Sequence, residues 1–77
     1  MTEATLKRED VVAILASFHT RPVDEVPERI DSMELAWLVH QVEQRFGLRV
    51  ELDDGQLGRM GTVSGAVDVL REVIATV

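Results

Sequence analysis

The segment Asp31-Ser32-Met33-Glu34-Leu35-Ala36-Trp37-Leu38-Val39-His40-Gln41-Val42-Glu43-Gln44-Arg45-Phe46-Gly47 reads as one amphipathic helix with both ends marked. Asp31 is a good N-cap, and Glu34 three positions on completes a capping box, in which each side chain accepts the other residue's orphan amide. Gly47 closes the helix, because glycine takes the left-handed conformation found at helix ends without steric cost. With Ser32 at zero and about 100° per residue, Leu35, Leu38, Val39, Val42 and Phe46 fall within roughly 240–340°. That stripe predicts the buried face. Ser32 stands at the first helical position, and since Asp31 does the capping, the Ser32 hydroxyl is free to point outward.

Towards the N-terminus, Leu6 to about His19 places Val11, Val12, Ile14, Leu15 and Phe18 at helical spacing, with Thr5 as the expected N-cap. Thr20 to Ile30 carries Pro22 and Pro27 and cannot be a regular helix. Val23, Val26 and Ile30 are expected to pin this long loop to the core, and loops of such length tend to be functional or well anchored. Towards the C-terminus, Leu48 to Gly61 is acidic and punctuated by Gly55, Gly58 and Gly61. Within it Leu57 and Met60, one turn apart, predict a short helical turn. Thr62 then caps a last helix in which Val63, Val67, Leu70 and Ile74 share a face, flanked by Ala66 and Val73. No strand pattern and no repeat is present. The expectation is one all-α domain over residues 1–77: three main helices, a short third helix, and a long loop between the first two. Its core is small, so its stability should be modest.

Composition bounds the function. A chain of 77 residues is too short to wall a substrate cavity with a second layer. With no cysteine it is neither a disulfide-stapled scaffold nor a thiolate metal site. Fourteen acidic against eight basic residues give a net charge of −6, which repels nucleic-acid phosphates and favours a basic protein partner. Met1-Thr2-Glu3-Ala4-Thr5 lacks the basic flank and apolar run of a signal peptide. The longest apolar run, Leu35 to Val39, falls far short of the roughly 20 residues that span a bilayer. These features predict a cytoplasmic monomer that binds neither membrane nor nucleic acid.

Catalytic patterns are missing. His19 and His40 lie in different elements with no second metal ligand at helical spacing, so no metal site is predicted. Ser32 and His40 do not make a nucleophile and base, because eight residues of helix rise about 12 Å. The glycines between Gly55 and Gly65 match no phosphate-cradling loop. Both histidines are expected to be surface or half-buried rings, and no catalytic residue and no enzyme activity is predicted. What remains is Asp31-Ser32-Met33. Taken alone it is a common helix start; delivered by a proline-held loop in a small, acidic, helical chain, it is more.

Asp31-Ser32-Met33 followed by Glu34-Leu35 resembles the Asp-Ser-Leu phosphopantetheine attachment motif of acyl carrier proteins. Val42-Glu43-Gln44-Arg45-Phe46-Gly47 is similar to the end of that family's second helix. Met60-Gly61-Thr62-Val63 with Ala66-Val67-Asp68 is similar to its entry into the last helix. The resemblance spans essentially the whole chain. It implies a small four-helix bundle of acyl-carrier type with Ser32 esterified by 4′-phosphopantetheine, transferred from coenzyme A by a separate phosphopantetheinyl transferase. It further implies acyl groups carried as thioesters, an acyl-loading enzyme and a downstream synthase or transferase as partners, and a role for Asp31 in positioning metal and Ser32 in the transferase complex. A phosphodiester at Ser32 would sit by the unpaired amides and positive end of the helix.

Four departures from the family pattern matter. Met33 stands where leucine is usual, a volume-conserving swap. Pro27-Glu28-Arg29-Ile30 lacks the glycine common shortly before the serine, and the Gly-Gly-x-Ser signature of peptidyl carriers is missing too, which favours the acyl branch. Trp37 occupies a position where the family usually has an acid; on the wheel it lies roughly 160° from the middle of the buried stripe. It predicts a partner face of Met33, Glu34, Trp37, His40 and Glu43, with Trp37 either an anchor or a ring covered by the flanking loop or the short third helix. The loop Leu48-Arg49-Val50-Glu51-Leu52 is longer than usual. A specialised polyketide, lipid or lipopeptide pathway is one expectation, a housekeeping fatty-acid carrier a second. A non-acylated helical interaction module using Trp37 and Met33 is a third, of a different class.

The acidity has a place. Residues 1–21 are neutral, 22–46 carry −4 and the rest −2, so charge gathers on the loop and helix around Ser32. Half of that −4 belongs to the loop, through Asp24, Glu25 and Glu28 against Arg29. Docking should therefore depend on salt through the loop.

Overall fold

The computed structural model describes residues 6–76, and over them the chain is all-helical. Four α-helices follow one another: α1 (Arg8–His19), α2 (Ser32–Phe46), α3 (Asp54–Arg59) and α4 (Val63–Thr76). The helix set matches the expected three main helices and short third. The first helix begins later than Leu6: Lys7 is its N-cap residue, and its amide donates to Asp10 Oδ2 at 2.9 Å. The expected cap, Thr5, lies outside the described residues. Thr20 ends α1 with φ 54°, and the Arg21 amide reaches back to the Ala16 carbonyl at 3.0 Å, closing the last turn as a left-handed cap does.

Side-chain contacts at both ends show α1 and α2 to be antiparallel. His19, at the end of α1, meets Glu34 in the first turn of α2, while Arg45 near the end of α2 lies 3.5 Å from Asp10 near the start of α1. Between them Leu6, Val11, Leu15, Leu38 and Val42 are buried, joined from α4 by Val63, Ala66, Val67, Val69 and Leu70. The expected face of α4 is present but wider than read: Val69 is fully buried as well. The stripe of α2 is rotated. Leu38 and Val42 are fully buried, but Leu35, Val39 and Phe46 are only half-buried, and Glu34 is inside. Packing of α1 on one side draws burial towards Glu34, Trp37 and Gln41.

The loop that delivers α2 contains a 3₁₀ turn at Val23–Glu25. Ile30 is buried and Val26 half-buried, as expected of core pins; Val23 is not a pin, being 56% exposed. Polar ties do the rest. The Ile30 amide donates to the Gly61 carbonyl at 2.9 Å and the Val63 amide to the Glu28 carbonyl at 2.8 Å, forming an isolated antiparallel bridge between Arg29 and Thr62. Glu28 also accepts from Arg8 Nη2 at 2.6 Å and from the Ser64 amide at 2.8 Å. The Arg8 guanidinium first, and the Ser64 amide second, hold its carboxyl down at about 2 from an ordinary 4.5. Loop, α1 and the start of α4 are thus tied at one side chain.

Candidate functional site

The cap shapes the head of α2. Asp31 Oδ1 accepts the Glu34 amide at 2.8 Å, and Glu34 Oε1 accepts the Asp31 amide at 2.8 Å, so the predicted capping box is present. Gly47 closes the other end at φ 65°. Among the described residues nothing accepts from the amides of Ser32 and Met33, and no hydrogen bond holds the Ser32 hydroxyl. Ser32 is exposed. Its hydroxyl stands in water beside two open N–H groups at the positive end of a 15-residue helix, a setting that stabilises an attached anion.

Beside the hydroxyl lies a groove. Ser32, Leu35, Ala36, Val39, His40 and Glu43 form its α2 wall, and Val50, Leu52 and Leu57 the opposite wall, around an open space of about 460 Å³. Six of these nine residues are hydrophobic, so the space suits an apolar chain better than a polar one. The loop after α2 is held there because Glu43 Oε2 accepts the Val50 amide at 2.9 Å. Leu35 and Val39 pack against the core and also line the groove, which leaves them half-buried.

The expected partner face divides. Met33 is 71% exposed and His40 is exposed, on the same side as Ser32 and Ala36. Glu34 does not belong to that face: only 5% exposed, it gives Oε1 to the Asp31 amide and Oε2 to His19. Glu43 is half-buried and spends its carboxylate on the loop. Trp37 is half-buried, its Nε1–H on the Ile14 carbonyl at 3.3 Å and its ring centroid 5.6 Å from that of Phe18. The element over the indole is α1, neither the flanking loop nor the short third helix. The exposed residues on this side of α2 are Ser32, Met33, Ala36, His40 and Gln44, none of them acidic, with the half-buried Glu43 among them. Asp31 is exposed at its head.

Two contributions escaped the sequence reading. Val50 and Leu52 line the groove, and the alternation Leu48-x-Val50-x-Leu52 was the signal that could have exposed them. His19 is half-buried, as one of its expected states, but its Nε2 lies 2.5 Å from Glu34 Oε2. Fifteen residues separate the two in sequence, and only the packing of α1 on α2 brings them together.

No family model matches the chain, and neither does any curated protein or solved structure.

Proposed function

We propose that this chain is a carrier protein with a four-helix bundle of acyl-carrier type, in which the Ser32 hydroxyl takes 4′-phosphopantetheine from coenzyme A under the action of a separate transferase. One observation carries the reading: an exposed, unbonded serine hydroxyl at the first turn of a helix already capped by Asp31, opening on an apolar groove. The residues suit the group. The Ser32 oxygen would bond to the phosphate of the pantetheine arm as the pyrophosphate bond of coenzyme A breaks, adenosine 3′,5′-bisphosphate leaving and the serine proton passing to the transferase or to water. The open amides of Ser32 and Met33 favour the phosphodiester charge. Leu35, Val39, Val50 and Leu52 offer apolar cover beside it. When attached, the group brings the thiol that a chain without cysteine lacks, and that thiol carries acyl groups as thioesters. Asp31, exposed next to the hydroxyl, is the side chain available to position metal and serine in the transferase complex.

An α2 face whose exposed side chains are not acidic supports service to dedicated enzymes of a specialised pathway over a housekeeping role, because general partners that grip an acidic helix would find Met33 and His40 there. The interaction-module alternative is weakened, since the Trp37 indole it needs is engaged by α1. Among the described residues no helix is long and apolar enough to cross a membrane. Intact mass after incubation with coenzyme A and a broad-specificity phosphopantetheinyl transferase tests the reading. The expected result is a gain of one phosphopantetheinyl group, lost in Ser32→Ala; no gain, or a gain that survives the substitution, overturns it.

A further inference from the structure

We propose that His19 is a positioning residue for Ser32: across the α1–α2 interface its ring holds Glu34, and Glu34 holds the Asp31 corner that presents the Ser32 hydroxyl. The proposal rests on the carrier reading above. Its contacts are continuous. His19 Nε2 lies 2.5 Å from Glu34 Oε2, Glu34 Oε1 accepts the Asp31 amide at 2.8 Å, and Asp31 Oδ1 accepts the Glu34 amide at 2.8 Å. Glu34 is buried, so an oxygen left without a partner there carries a desolvation cost that a surface glutamate escapes. His19 is itself well seated. It is the last residue of α1, and the Phe18 and His19 rings meet edge-on at 4.9 Å between centroids. Among the described residues no other α1 side chain bonds to the first turn of α2.

Without the ring, Glu34 Oε2 is buried and unpaired. The carboxylate then swings towards water to regain a partner, and swinging out releases the Asp31 amide. The corner before Ser32 is then ordered for only a fraction of the time. A transferase that binds the ordered corner sees its KM for the carrier raised by the inverse of that fraction, with kcat kept. Loss of a group acting in the chemistry would lower kcat instead.

The test measures phosphopantetheine transfer by the same broad-specificity transferase for the wild type, His19→Leu, His19→Gln and the double substitution His19→Leu with Glu34→Gln, with Ser32→Ala as the blank. In His19→Leu, KM for the carrier should rise about tenfold with kcat little changed. His19→Gln places an amide N–H near the position of Nε2 and should restore the wild-type KM. The double variant should recover most of it, because a neutral amide at position 34 loses less when left unpaired than a carboxylate does, yet still offers an oxygen to the Asp31 amide. Hydrogen exchange at the Asp31 amide should follow the same order. If His19→Leu does not fold, His19→Asn replaces it: its amide falls short of Glu34, and a KM equal to that of His19→Gln overturns the proposal. An unchanged KM in a folded His19→Leu, with the wild type loaded, overturns the positioning role and leaves the carrier reading standing. A wild type that gains no mass overturns both.

Discussion

The indole of Trp37 gives its N–H to the Ile14 carbonyl and tilts its ring against Phe18, so the largest side chain of α2 joins that helix to α1. A half-buried aromatic pair of this kind contributes by area and by ring contact. Trp37→Ala should therefore lower stability by roughly 2 kcal/mol, less than truncation of a fully buried tryptophan, while leaving phosphopantetheine transfer and acyl loading close to wild type. Urea unfolding beside a loading assay checks it; unchanged stability with impaired loading would return the indole to the partner face. The helical wheel sets this residue opposite the buried stripe and leaves open whether its ring is covered, for a physical reason. A wheel assumes one packed side, and α2 has two neighbours, α1 against Glu34 and Trp37 and the rest of the core against Leu38 and Val42. Glu34 teaches the same lesson by halves. Its bond to the Asp31 amide is local and was legible, whereas its bond to His19 is made by tertiary packing and left no mark in the sequence.

Where α3 hands over to α4, backbone meets backbone at Gly65. A Cβ built there would lie 1.7 Å from the Arg59 carbonyl oxygen, a main-chain atom that cannot turn aside. Exchanging an interior helical glycine for alanine ordinarily stabilises by about 1 kcal/mol. Here the sign should reverse, with a net loss of roughly 1–3 kcal/mol from forced separation of the two helices, read as a lower urea midpoint; Gly58→Ala, with open space around it, is the control. Elements whose ends are marked by local chemistry were readable: the box of Asp31 and Glu34, Gly47 in the left-handed conformation, and Thr62, whose Oγ1 accepts the Gly65 amide at 3.1 Å. The box that starts α3 was equally local and was passed over. Asp53 Oδ1 accepts the Gln56 amide at 2.7 Å and Gln56 Oε1 accepts the Asp53 amide at 3.0 Å. The position of Ser32 belongs to this legible class, since it follows from its cap; the groove beside it does not, because the wall facing α2 is Val50 and Leu52 of the loop and Leu57 of α3, placed there only by the fold.

At the scale of the whole molecule, the loop that carries Ser32 to its place is anchored through Glu28. One carboxylate there takes the Arg8 guanidinium from α1 and the Ser64 amide at the head of α4, while its own carbonyl takes the Val63 amide. Those bonds favour the ionised form and hold the carboxyl at about 2. A folded-state value below the unfolded one means the contribution is fully present above the unfolded value, near 4.5, and is lost as pH falls towards about 2. Glu72, lowered by Arg59, adds a second loss of the same sign. Urea unfolding of wild type and Glu28→Gln should thus differ most at neutral pH, and the difference should close between about 4.5 and about 2 as the wild type loses what the variant never had. Because Arg8 and Glu28 are both solvent-accessible, added salt should narrow the neutral-pH gap without abolishing it, since the Ser64 amide is screened less than the guanidinium. A gap that stays constant down to the lowest pH would show that Glu28 acts through shape and not through charge. Acid pH should also slow loading at Ser32 more in the wild type than in Glu28→Gln, because the same loop sets where α2 begins.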